Sequence, residues 1–388
     1  MNRIAFLDVL RGVALFGILL VNVFSFGADY PAWSGVTDQV AWQVKHVFFE
    51  TKFWMLYSLL FGMGFFLQIS SAGYTLARSL RRLGVLMALG CLHGLLFEGD
   101  ILMLYAELGV LLLLLYRLPT QWLLSLALML VISFPLGHLL VADRGDDWPA
   151  ENKAEALAWL DEDRMTSPLA VGSFTEVLGY HAAFLPERFW ADWQYPDSGF
   201  LVLACFLAGF CLMRSGWGAL QRLARWQSLS IALGLWMVGL SLMTVERYWS
   251  AAVGYMPFER SSATPMQVLG GDLVYLVATI MLAGAWFFSV WCWVQGDWLV
   301  GVRCRIASAG AMSLTGYVTQ TVIFTTIFYG YGFGAAFIWG PLQVVTLAVA
   351  VYAAQVLMCH WWYQRFWRGP LEWVWRCLTY WRWEPLRR

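Results

Sequence analysis

The sequence predicts an all-α fold: a polytopic membrane helix bundle of about ten transmembrane helices, with both termini on the cytoplasmic side. Three observations carry this. The 388 residues are 60% hydrophobic and only 13% charged, a composition foreign to soluble domains. Apolar runs recur at about the twenty residues that a bilayer crossing needs. Lys and Arg fall on alternate connections between those runs, as the positive-inside rule requires. The 24 Trp and 16 Tyr suit aromatic belts at the two interfaces. The formal net charge of zero is the sum of two oppositely charged faces, so the partner expected is the lipid bilayer and not nucleic acid.

The elements follow in order. The first span covers about residues 9–28; Asp8 and Arg11 interrupt the apolar region and no small-x-small cleavage site follows, so it reads as a retained span. The second covers 53–70. The third and fourth, 83–97 and 101–117, are short and joined by the turn Glu98-Gly99-Asp100. The fifth covers 121–141 and completes a first five-helix unit, residues 1–142. A polar extracytoplasmic segment, 143–197, contains one helical stretch at 149–164 and an amphipathic one at 174–193, which has apolar residues at helix spacing and reads as a cover or a plain connection. A second five-helix unit, 198–388, holds spans at 198–214, 227–245, 272–293, 306–329 and 336–359 and a basic cytoplasmic tail. Arg78, Arg81, Arg82, Arg117, Arg214, Arg222, Arg225, Arg303, Arg305 and the tail arginines all fall on one side, and the run Asp161-Glu162-Asp163 falls on the other.

Ionisable groups inside such spans cost about 2.5 to 3.5 kcal/mol each on insertion scales and mark candidate sites. Steps of three and four put Asp8, Arg11, Leu15, Ile18 and Asn22 on one stripe of the first helix. Asp8 and Arg11 can pair, and Asn22 lies about 16 Å further along. The stripe reads either as the wall of a substrate groove or as an ion pair plus an interhelical amide bond. The hairpin supplies a second set: His93 one turn from the outer end, with Glu98 and Asp100 at the turn, is suited to general-base work if a carboxylate fixes its tautomer. Asp100 and Glu107 share a helix face, and Tyr105 lies on another.

The remaining histidines, His46, His138, His181 and His360, read as interface anchors. The seven cysteines read as apolar packers. No metal-ligand spacing, phosphate loop or nucleophile elbow is present, so neither a metal nor a tightly bound cofactor is expected.

Together these residues resemble the YeiB-like family of bacterial inner-membrane proteins, which carry the domain of unknown function 418. The marks are LDVLRGVALFGILLVN in the first span, FGMG in the second, RRLGVLMALGCLHGLLFEGDILMLYAELG in the hairpin, GAMSLTGYVTQT in the ninth and FWRGPLEWVWRCLTY near the end. Relatives usually show a GRMALTNYLLQS-like ninth span; here Ala311 stands where the Arg is expected and Gly316 where the Asn is expected. The chain is also similar, more distantly, to the transmembrane acyltransferases, including the heparan N-acetyltransferase, in its Asp-x-x-Arg-Gly start and helix number. In the heparan enzymes a catalytic histidine follows the first span within His-Ala-Pro-Trp-Asn-Gly, whereas residues 30–35 here begin with Tyr30.

That similarity implies an inner-membrane acyltransferase, with acyl-CoA as co-substrate and an extracytoplasmic hydroxyl or amine as acceptor. In this reading Arg11, Arg81 and Arg82 hold the phosphates, Asn22 orients the thioester carbonyl and His93, fixed by Glu98 or Asp100, is the base. The rival reading is a transporter of a small polar or lipid-like solute, with the same polar stripe lining its path.

Overall fold

A computed structural model describes residues 3–26, 35–142, 166–194, 198–252, 264–336 and 338–388. Among these residues the chain is helical, and its only strand-like pairing is an isolated bridge between Phe366 and Arg387. It is a membrane helix bundle, with seven helical segments long and apolar enough to cross a bilayer.

Helix α1 (Arg3–Ser25) is the axis of the bundle. Its neighbours approach it through glycine: a Cβ on Gly12 would overlap the carbonyl of Ile306, and one on Gly310 the carbonyl of Asp8. Without a hydrophobic drive between helices in lipid, such close backbone contact is a main source of attraction. Tyr352 donates its hydroxyl to the Gly12 carbonyl at 2.6 Å, which fixes a further helix to the same point.

Helix α2 (Val36–Val44) runs into a π-helical turn, Lys45–Phe49, before α3 (Lys52–Ile69). The break falls at Thr51, whose φ of 65° is a costly conformation for a β-branched residue. The second span is thus one descending helix preceded by a shorter element that periodicity alone does not separate from a loop. In α3 the FGMG motif has two uses. Gly62 packs on the Phe206 carbonyl, and Gly64 leaves room for the Arg11 guanidinium.

The hairpin is α4 (Leu76–Gly94) and α5 (Leu102–Leu115). The 14 residues of α5 extend about 21 Å, short of the roughly 30 Å apolar core of a bilayer. Next come α6 (Thr120–Ala142), the short α7 (Pro168–Val171), α8 (Phe174–Gln194) and α9 (Ser198–Cys211), which passes through a π-helical turn into α10 (Trp217–Arg222). Helix α8 lies across the α4–α5 turn, where Arg188 donates to the carbonyl of Asp100. Helices α11 (Arg225–Ala252) and α12 (Pro265–Gln295) form a hairpin with a small core of their own around Met243, Ala278 and Leu282.

The expected ninth span is divided at Met312 into α13 (Val300–Ala311) and α14 (Ser313–Phe328), followed by α15 (Pro341–Tyr363). The residues expected as a basic tail instead include a folded element, α16 (Pro370–Tyr380), with Trp375 donating to the Arg82 carbonyl at 2.9 Å. One buried core runs from Phe6 to Cys359 through both halves of the chain. The acidic run at 161–163, the helical stretch at 149–164 and Tyr30 lie outside the described residues.

Candidate functional site

Three polar assemblies interrupt this apolar bundle. The first is at the hairpin turn. His93 Nδ1 is 2.7 Å from Asp100 Oδ1, and His93 Nε2 is 2.8 Å from the Thr321 hydroxyl of α14. The other Asp100 oxygen accepts the backbone N–H of Met103 at 2.9 Å, so this carboxylate also caps the start of α5. Tyr317 lies tilted against the imidazole, with ring centres 4.7 Å apart, and donates to the Gly99 carbonyl at 3.0 Å. His93 is 2% exposed and Asp100 fully buried. Every hydrogen-bonding position of the imidazole is taken, so the geometry shows a tie between α4, α5 and α14. Glu98 is exposed, and the carboxylate that meets the imidazole is Asp100.

The second assembly is a cavity of about 400 Å³ at the arginine-rich end, lined by Arg11, Arg78, Arg82, Arg368 and Arg376. It continues into an inner chamber of about 200 Å³ that has Arg11, Arg82, Ala311, Glu372 and Trp375 in common with it and is closed by Tyr57, Phe61, Leu86, Leu102 and Tyr105. Arg11 pairs with Asp8 at 3.1 Å. Arg82 donates to Gln68 at 2.6 Å and lies 4.6 Å from the Trp375 ring centre. Each guanidinium has five N–H groups and so keeps donors for a ligand. Glu372 is the acid in this chamber, and it is tied to the backbone N–H groups of Leu314 and Thr315 and to the Thr315 hydroxyl. Burial pushes its carboxyl above the usual range, against those bonds. The chamber is therefore strongly cationic at its mouth and aromatic within.

The third is a cavity of about 300 Å³ at the opposite end, with Ile18, Asn22, Glu50, Thr51, Trp54 and Ile101 in its wall. Glu50 Oε2 is 2.6 Å from His46 Nδ1 and Oε1 is 3.5 Å from Lys45 Nζ. The fully buried Lys52 donates to the His46 carbonyl at 2.8 Å. Trp54 belongs to this cavity and Tyr57 to the inner chamber; Ile101 belongs to this one and Leu102 to the chamber. The partition between the cavities thus falls within one turn of α3, between Trp54 and Tyr57, and at the start of α5.

The structure distributes the expected residues accordingly. Arg11, Arg82 and Tyr105 meet in the chamber, where the Tyr105 hydroxyl bonds Ser58 at 2.7 Å. Asp8 stands behind Arg11. Arg81 turns away and donates to the Thr379 carbonyl at 3.1 Å. Asn22 lines the other cavity, Glu107 is half-buried on α5, and His93 with Asp100 lines neither. Sequence reasoning missed Thr321, which is 228 residues from its partner. Arg368, Arg376 and Glu372 are not visible as site residues in the sequence, because the stretch that forms α16 reads as a tail. The His46-to-Glu50 spacing of four was the readable signal for the third assembly.

The two deviations in the ninth span are explained locally. Ala311 faces both sections of the arginine cavity, where a larger side chain would enter it. At Gly316 a Cβ would press on Leu15, and the amide that Asn would offer is supplied by Gln355, whose Nε2 donates to the Gly316 carbonyl at 2.9 Å.

A helical membrane protein with cavities towards opposite ends of one bundle is the class that this fold and site define. The chain belongs to the YeiB-like family. A family model described as "Protein of unknown function (DUF418)" matches residues 248–382. The chain is 30% identical over 406 residues to "Uncharacterized protein YeiB" of Escherichia coli (strain K12), covering 98% of this chain and 97% of that protein. It is 29% identical over 430 residues to "Uncharacterized protein YxaH" of Bacillus subtilis (strain 168), covering 100% and 96%. No solved structure matches it.

Proposed function

We propose that this protein is an acyltransferase of the bacterial inner membrane, with its arginine-rich end in the cytoplasm, that takes acyl-CoA into the arginine-lined cavity. The observation that carries this reading is the chamber's polarity: five arginines at the mouth and an aromatic and leucine sleeve beyond. Phosphates match guanidinium forks, and an acyl chain matches the sleeve. In the reaction the acceptor oxygen or nitrogen bonds to the acyl carbon, the thioester C–S bond breaks, and the acceptor's proton ends on the CoA thiol.

In this reading Arg11 and Arg82 hold the phosphates at the neck, with Arg78, Arg368 and Arg376 outside them and Asp8 orienting Arg11. The His93, Asp100 and Thr321 tie holds the first turn of α5 against the partition instead of supplying the base. Purified protein tests the proposal directly. Dodecanoyl-CoA should raise its unfolding temperature, and CoA should compete, whereas solute uptake into proteoliposomes without acyl-CoA would replace this reading with the transporter.

A further inference from the structure

We infer that the third cavity is a separate binding site for a neutral, hydroxyl-bearing amphiphile, recognised through Asn22, Glu50 and Thr51. Calling this ligand the acyl acceptor rests on the acyltransferase reading; the site itself does not.

Its chemistry is two-sided. Ile18, Trp54 and Ile101 offer apolar and aromatic wall, while Asn22, Glu50 and Thr51 place an amide, a carboxylate and a hydroxyl on the same cavity. Such a division, mostly apolar lining with a few placed polar groups, is the usual form of a small-molecule site. Two further observations point to a ligand. The Glu50 side chain is 32% exposed although its oxygens are already directed by His46 and Lys45. The adjoining Thr51 is held in a strained backbone conformation at φ 65°, a cost that clusters at ligand sites. The Thr51 hydroxyl is positioned in turn by Tyr275 at 3.0 Å.

Charge narrows the ligand class. Lys45 is 4% exposed and Lys52 fully buried beside this carboxylate. An ammonium ligand placed on Glu50 would compete with two ammonium groups already there, and a carboxylate ligand would meet Glu50 itself, because both lysines are buried behind it and neither lines the cavity. A hydroxyl has neither penalty, since it can donate to Glu50 and accept from the Asn22 amide. For the proposed enzyme this selects an alcohol over an amine, hence ester formation over amide formation.

The test places a cysteine on the cavity wall by Ile101→Cys, with Val21→Cys as a second position, in protein reconstituted into nanodiscs. Alkylation by N-ethylmaleimide is read at that residue by mass spectrometry. Octyl glucoside below its micellar concentration should slow alkylation at least about threefold, the scale of one hydrogen bond, while octylamine and octanoate should not. Adding Glu50→Gln to Ile101→Cys should remove the protection. The inference is overturned if neither cysteine is alkylated, if octylamine protects as well as octyl glucoside, or if protection survives Glu50→Gln. Failure of dodecanoyl-CoA to bind while this protection holds would remove the acyltransferase reading and leave the site standing.

Discussion

Among the described residues are two imidazole–carboxylate pairs of nearly equal length, His93 with Asp100 at 2.7 Å and His46 with Glu50 at 2.6 Å. Their surroundings differ completely. The first is sealed, and every polar atom of the pair is spent on holding α4, α5 and α14 together. The second has side chains 18% and 32% exposed, and its carboxylate faces an open cavity. The same chemical pair is therefore a structural tie where the fold closes over it and a recognition element where the fold leaves room. Removing one partner of a buried pair exposes the full desolvation cost of the other, whereas a half-open pair is screened and its loss is mild.

The largest expected effect breaks the sealed pair. Asp100→Ala leaves the His93 imidazole and the Met103 N–H unpaired and should cost about 3 to 5 kcal/mol. Thermal unfolding in detergent measures this, and an unchanged unfolding temperature would remove the distinction between the pairs. Next is a buried imidazole without a carboxylate, His181 of α8, whose Nε2 has no partner. Burial pushes its pKa down to about 4, so the folded protein resists protonating it. Its stability is full above about pH 6.5 and falls as pH drops from there towards 4, by at most about 3 kcal/mol. His181→Asn should flatten that dependence in unfolding curves recorded across this window.

A smaller effect belongs to the arginine cavity. Arg82→Ala should weaken CoA binding about tenfold, about 1.4 kcal/mol, and make it less sensitive to salt, as titration calorimetry at two ionic strengths would show. The smallest belongs to the open pair. His46→Gln, which leaves Glu50 with Lys45, should change stability by about 1 kcal/mol or less, and a loss as large as that of Asp100→Ala would mean that both pairs are structural.

How much was legible depended on the range of the interaction. The long apolar helices were, because α1, α6, α12 and α15 are close to uniform runs. The second span reads as incomplete because α2 is too polar to register as membrane helix, and the ninth reads as one helix because nothing in GAMSLTGYVTQT announces the break at Met312. Asp8 and Arg11 were legible as a pair by their spacing of three. The His93–Asp100 bond could be anticipated within the hairpin, but its sealing by Thr321 and Tyr317 depends on α14 packing there, which no local pattern reports. Likewise Arg368 and Arg376 reach the cavity only because α16 folds back onto α4.

The partition carries an electrical consequence. If water fills both cavities, most of the membrane potential drops across the layer of Trp54, Tyr57, Ile101 and Leu102 instead of across the whole bilayer. Any charge moved through that layer then couples to the full voltage, about 2.3 kcal/mol per elementary charge for each 100 mV, so a reaction joining the two cavities would run at a rate set partly by the energised state of the cell.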